Sequence, residues 1–339
     1  MPTETTNKYL QTNMEQTNFR RYRFMATLTV VSVIFLILVG GLVRSAGAGM
    51  GCPDWPKCFG LWVPPTDVRQ LPSDYQQIYA QSYANTEFNV FKTWTEYLNR
   101  LVGVLIGFFI LLTFAFSISL RRLNRSIFWL SLASLVLVLV QGWLGGKVVK
   151  SNLHTGMITI HMVLALLILV LLITATLIAY SYKKKEAKAV FVTNFEAKNK
   201  WIALWITLLI FTQIVMGTQV REQVDVISKQ LGEGQRDAWV AALTGIYEVH
   251  KYFYYVITFF ILGWYVWLRD YFLNSPILKT WYVILVGTLF SEVAFGISMH
   301  RFAIPPALQP LHLLFAVLLF SVSYVLTVLL FRQEKLSTF

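Results

Sequence analysis

Long uncharged apolar runs alternate with short polar segments along the whole chain, a pattern unlike the two-residue alternation of half-buried strands. Eight runs stand out, at about 25–44, 95–118, 127–146, 156–181, 201–218, 246–268, 277–298 and 308–331. Each is near the roughly 20 residues that carry a helix across a hydrocarbon layer. The pattern predicts an all-α integral membrane protein with eight transmembrane helices. The fifth run is the weakest, because it is short and stops at the polar cluster Thr218, Gln219 and Arg221.

Composition agrees with this class. Of 339 residues, 56% are hydrophobic and 14% charged, where a soluble domain carries about a quarter charged residues. The net charge of +12 does not signal nucleic acid. The lysines and arginines sit at helix ends and in short loops, where they set topology, and form no basic face on a soluble domain. Residues 1–24 form a polar tail ending in Arg20, Arg21 and Arg23. The absence of a small-residue cleavage site predicts a retained first helix. That tail, Arg121 to Arg125, the basic segment 183–200 and the end at 332–339 fall on one side of an eight-helix layout. Positive loops stay cytoplasmic, so both termini are predicted there and the loops 45–94 and 219–245 face outward.

Segment 183–200 is polar, basic and long for a connection within a bundle. It reads as a cytoplasmic linker between a first half, 25–182, and a second, 201–331. Asn99 and His161 lie 62 positions apart, and so do His250 and His312. One shift of 151 places Asn99 on His250, His161 on His312, Gln141 on Glu292 and Gly145 on Gly296. The last two pairs form Gln/Glu-x3-Gly runs at the end of the third helix of each half. The coincidences predict two tandem four-helix bundles related by a parallel pseudo-twofold repeat.

The repeat puts His250 and His312 at similar depth, near the outer ends of parallel helices. Two imidazoles from separate helices suit axial ligation of one heme iron. The bland alternative is two polar groups satisfied within the bundle, which membrane burial makes less favourable. The first half departs from the pattern, with His161 in place but Asn99 as its partner. Glu96 is three residues before Asn99 and shares its helix face. It reads either as a catalytic carboxylate relaying a proton or as an interfacial group paired with Arg100 at i+4. Most histidines at helix ends are solvated, as expected for His154 and His300; His154, seven residues before His161, is a reserve ligand if its helix extends that far. Arg44 and Arg221 each follow a half's first helix and suit either macrocycle propionates or anchoring at the headgroups.

Cys52 and Cys58, the whole cysteine complement, lie in the outward loop within GCPDWPKC. A structural or redox-active disulfide is expected outside the cytoplasm, with a metal or redox pair as the alternative.

These residues together resemble the heme A synthase family. The runs GGLVRSAGAGMGCPDWP (40–56), TEYLNR (95–100) and QGWLGG (141–146) and His161 are similar to the first half of such proteins. His250 and QPLHLLFA (309–316) are similar to the second. The resemblance implies an eight-helix membrane oxidoreductase that converts the C8 methyl of heme O to the formyl of heme A. It implies heme b held by His250 and His312, and substrate heme O bound by His161, Asn99 and Arg44. It also implies catalysis assisted by Glu96 and an outer-loop Cys52–Cys58 pair. Heme O and the bilayer are the implied partners, with heme O synthase, cytochrome oxidase assembly factors, an electron carrier and a second copy of the chain as further ones. The implied location is the cell inner membrane. Asn99 departs from the family's Glu-x-x-His pattern, leaving either a substrate iron with one protein ligand or a first site that has lost its activity. The rival class is a membrane b-type cytochrome or a heme-binding assembly protein that does not oxidise the methyl.

Overall fold

A computed structural model describes residues 4–79, 87–150, 155–182, 198–272 and 275–337. Within these residues the chain is helical, with no strand beyond a single bridge between Cys58 and Leu61. The helices are α1 (Glu4–Ser45), α2 (Tyr75–Ile78), α3 (Val90–Ile118), α4 (Arg125–Lys150) and α5 (Thr155–Tyr182). They continue as α6 (Lys198–Leu231), α7 (Arg236–Ala242), α8 (Ile246–Phe272), α9 (Pro276–Arg301) and α10 (Leu308–Ser337). Local chemistry sets several starts. Asn89 caps α3 by accepting from the Lys92 N–H at 3.0 Å, and Ser275 caps α9 ahead of Pro276, whose missing N–H is harmless there.

Among the described residues, seven helices are long and apolar enough to cross a membrane: α1, α3, α4, α5, α6, α9 and α10. The chain is an all-α, multi-pass membrane protein. The expected eighth span, α8, is not among the seven. Tyr252, Tyr254, Tyr255, Trp264, Tyr265 and Trp267 lower its hydropathy, being side chains enriched at membrane interfaces. The lipid-facing character shows in the exposure of Phe24, Val104 and Phe259, each above 70%, which would be costly in water.

Three departures from the sequence expectation have physical causes. The tail expected over 1–24 is helical from Glu4 and continuous with the first apolar run. Phe19 and Tyr22 of the tail and Ala26 of the apolar run pack with Leu120, Ile127 and Ala175, and Tyr22 shares a 2.8 Å hydrogen bond with Ser131. The fifth run does not stop at Thr218: α6 continues to Leu231, because Asp225 pairs with the arginines nearby and Val224 and Ile227 pack under Trp239. The short helix α7 that carries Trp239 has no long apolar run to announce it. Linker residues 183–197 lie outside the described residues, and α6 begins at Lys198.

Helix α1 packs on α3 and α5, α3 on α4, and α4 on α5. Likewise α6 packs on α8 and α10, α8 on α9, and α9 on α10. Between these sets, α1 meets α10, α5 meets α6, and α5 meets α10. One core runs through both, from Leu169 and Leu172 through Ile206 and Ile210 to Leu285, Val317 and Leu326. In lipid such contacts act through close packing, not through removal of water, and interhelical hydrogen bonds add to them. Thr174 shares one of 2.7 Å with Tyr324, and Arg332 donates to the Ser181 hydroxyl at 2.8 Å.

Candidate functional site

His250 is on the first turns of α8 and His312 on the first turns of α10, so the shared direction of the two helices brings both to the same end of the bundle. The ring centres are 6.3 Å apart and the ring planes perpendicular. Two metal–nitrogen bonds of about 2 Å each, plus about 1 Å from each nitrogen to its ring centre, come to about 6 Å. The pair is therefore spaced to ligate one metal from opposite sides. Among the described residues, no group of three or more His, Cys, Asp and Glu is placed to hold a metal ion. Two imidazoles alone are too few for an ion held only by protein. They suit an iron whose other four donors come from a porphyrin.

Glycines give these rings their space. A Cβ at Gly217 of α6 would lie 3.2 Å from His250 Cε1, and one at Gly296 of α9 would lie 3.3 Å from His312 Cε1. Four residues before each glycine is a polar side chain on the same helix face. Gln213 donates its amide to the His250 carbonyl at 3.0 Å. Glu292 Oε1 instead lies 3.1 Å from His312 Nδ1. That nitrogen is out of line for a hydrogen bond, and it and His250 Nδ1 are buried without a hydrogen-bond partner.

The first half repeats this arrangement once. Gln141 donates to the His161 carbonyl at 3.0 Å, and a Cβ at Gly145 would lie 3.6 Å from His161 Cε1. His161 Nδ1 is buried and unpartnered. The other position holds Asn99 on α3, whose Oδ1 is also buried without a partner. Buried polar atoms are rarely left so, and an orphan acceptor here suits a hydrogen-bond donor from a bound molecule. His154 lies outside the described residues.

Glu96 is 4% exposed, and both of its oxygens are engaged. Oε2 accepts from the Cys52 N–H at 2.9 Å and Oε1 from Arg100 at 2.5 Å. Arg100 also donates to the carbonyls of Cys52, Asp54 and Lys57. The Cys52–Cys58 disulfide is formed. Helix α3 thus grips the small loop that the disulfide closes. Gly51 lets that loop lie against the start of α3, where a Cβ would be 2.3 Å from the Lys92 carbonyl oxygen. Trp55 lies over Gly146, where a Cβ would come within 2.9 Å of its ring. The adjacent glycines of QGWLGG therefore do different work, Gly145 seating His161 and Gly146 seating Trp55.

Arg44 ends α1 and is held by Asp225 of α6, at 2.5 and 3.1 Å. Arg221 pairs with the other Asp225 oxygen at 2.8 Å and also donates to Gln309 of α10. Sequence reasoning missed Asp225, because it lies beyond the expected end of its helix and 181 positions from Arg44. It also missed Gln213-x3-Gly217, although the two other runs of the same form were in view. His300 is bonded to the Tyr247 hydroxyl at 2.7 Å and stands apart from the paired histidines.

Comparison with known proteins gives the family. The model of the COX15-CtaA family, described as cytochrome oxidase assembly protein, matches residues 23–324. A heme A synthase of Orientia tsutsugamushi is 23% identical, over 94% of this chain and 97% of its own length. Heme A synthases of Ehrlichia canis and Bartonella tribocorum are 26% and 24% identical, over 56% and 63% of this chain. In these two the chain spans 56% and 62% of the relative's length.

Proposed function

We propose, for a chain that belongs to the COX15-CtaA family of cytochrome oxidase assembly proteins, that it is a heme A synthase. It oxidises the C8 methyl of heme O to a formyl group by two successive hydroxylations at one carbon, the resulting hydrate losing water. The observation that carries this reading is the pair of unlike sites, one with two imidazoles 6.3 Å apart and one whose buried, unpartnered groups are the His161 imidazole and the Asn99 amide. A resident heme that only passes electrons is well served by two fixed axial ligands. A substrate that must react and leave is served by fewer protein ligands.

His250 and His312 would hold heme b, which when bound supplies one-electron redox chemistry. His161 would ligate the iron of heme O, with Asn99 leaving the opposite face open to a small molecule. Arg44, ion-paired to Asp225, would lend positive charge to the substrate end. Glu96 would hold and pass a proton near Asn99, one helical turn away, with Arg100 fixing its orientation. The disulfide loop would close the outer mouth of this site.

The same reading has eight membrane spans, α8 being the eighth, in two four-helix bundles that arose by duplication. The matched packing of α1, α3, α4 and α5 with α6, α8, α9 and α10 supports it. Both termini would be cytoplasmic and the membrane the cell inner membrane. Heme O would be received from its synthase, with assembly factors and an electron carrier as further partners.

Pigment analysis of the purified protein tests the proposal. Heme b together with heme O, its hydroxylated form or heme A is expected. Heme b alone, with no heme A made in cells supplied with heme O, would favour the cytochrome reading. Glu96→Ala should abolish heme A formation and leave the heme b spectrum intact; normal heme A output from this variant would remove Glu96 from the reaction.

A further inference from the structure

Three helices present the same short pattern to a histidine: Gln141-x3-Gly145 on α4, Gln213-x3-Gly217 on α6 and Glu292-x3-Gly296 on α9. In each, the glycine leaves room for the ring, and the polar side chain one turn earlier reaches the same residue. On α1, which packs on α3 as α6 packs on α8, the pattern is missing. Gly40 there has nothing within 4 Å, and Gly41 faces Leu313 and Pro310 of α10. The histidine position without such a seat is Asn99. Seat and histidine are present together or absent together.

The three seats are not equivalent. Gln141 and Gln213 spend their amide N–H on a backbone carbonyl, and their Oε1 atoms are buried without a partner. Glu292 alone brings a carboxylate to a ring, with Oε1 3.1 Å from His312 Nδ1 and Oε2 unpartnered. A histidine that ligates through one nitrogen carries its proton on the other. The acceptor of that N–H fixes the ring and raises its strength as a donor, and a carboxylate does so more than an amide.

We propose that Glu292 is a positioning residue that makes His312 the stronger of two unequal ligands and holds the potential of the bound heme low. The inference rests on the reading that His250 and His312 ligate heme b. With heme bound, a small turn of the ring would let the carboxylate, already 3.1 Å from Nδ1, accept the His312 Nδ1–H and strengthen electron donation to the metal, which favours the oxidised state. Gln213, with a neutral amide already engaged at a backbone carbonyl, gives His250 no such push.

The test is a spectroelectrochemical titration of the full-length protein purified in detergent with its own heme, accompanied by low-temperature EPR. Glu292→Gln should keep one b-type heme per chain, raise its midpoint potential and shift its low-spin EPR signal. Gln213→Glu should move the potential downward. An unchanged potential in Glu292→Gln with heme retained would overturn the inference. If that variant loses its heme, Glu292→Asp decides. A retained heme with an altered potential supports the role, and a potential equal to that of the parent protein overturns it. His312→Ala is read separately, by heme content alone. A b-type heme that survives this change would overturn the ligand assignment itself, and with it the premise of the inference.

Discussion

Asp225→Asn is the substitution whose cost can be worked most directly from the structure. One Asp225 oxygen is 2.5 Å from Arg44 Nη2 and the other 2.8 Å from Arg221 Nη2. With charge centres about 4 Å apart, each pair would be worth about 4 kcal/mol at an effective dielectric of about 20. The three side chains are 22–31% exposed, so solvent screening reduces this to about 1–2 kcal/mol per pair. The asparagine keeps shape and one acceptor but leaves two guanidinium groups facing each other between α1 and α6. The expected loss is about 2–4 kcal/mol, since removing one partner of a partly buried pair leaves the others uncompensated. Thermal or denaturant unfolding in detergent would read it. The sharper measurement is a double-mutant cycle of Arg44→Gln with Asp225→Asn, where about 1–2 kcal/mol of coupling is expected. Coupling below about 0.5 kcal/mol would refute the reasoning. If Arg44→Gln then weakened heme binding without touching stability, Arg44 would be working on a propionate and not on Asp225.

Gly51→Ala should be among the most damaging single changes in the chain, because its Cβ meets backbone of Lys92 and Thr93 at 2.3–2.8 Å. A loss of about 3 kcal/mol or more is expected, read as early proteolysis of the 46–89 loop; Gly103→Ala, with nothing within 4 Å, should be neutral or slightly stabilising. Asn99→His should convert heme bound beside His161 to a low-spin form with two protein ligands, seen by EPR and by the Soret band; an unchanged spectrum would show that Asn99 does not face that iron.

The membrane class and most helix boundaries were legible in the chain, because an apolar run of the right length has few other places to go. That the His250 and His312 rings lie near each other was legible too, since each falls at the start of an apolar run that enters from the same side in the eight-run pattern. What escaped depended on neighbours distant in sequence. Polar Thr218 and Arg221 looked like the end of a helix, yet α6 carries on because Asp225 pairs with both Arg44 of α1 and Arg221. The helical reach of α1 before residue 25 was hidden for a similar reason. Its polar stretch has no long apolar run, but Tyr22 finds Ser131 of α4. The Gln213-x3-Gly217 seat was missed because the 151-residue offset that aligns the later helices does not align α6 with α1. For Glu96 the sequence left open a catalytic group or a partner of Arg100. The ion pair is present, and the Cys52 N–H is a further partner that spacing along α3 could not show.

The difference between the halves has a direction. His161 is backed by Gln141 and Gly145 of α4 and would be the protein ligand of a macrocycle bound there. Asn99 on α3, buried and without a partner at its Oδ1, lacks the glutamine-and-glycine seat found elsewhere. One turn along α3 from Asn99 is Glu96, and over Glu96 lies the loop closed by Cys52 and Cys58. Under the proposed function, the open face of the substrate, the acid that handles its proton and the covalently closed loop are stacked along a single helix end. Under that reading, Asn in place of His at position 99 would open the site beside Glu96, on the side where a proton and a small oxidant would have to enter. In the second half both histidines have seats behind them, which would suit a cofactor that stays.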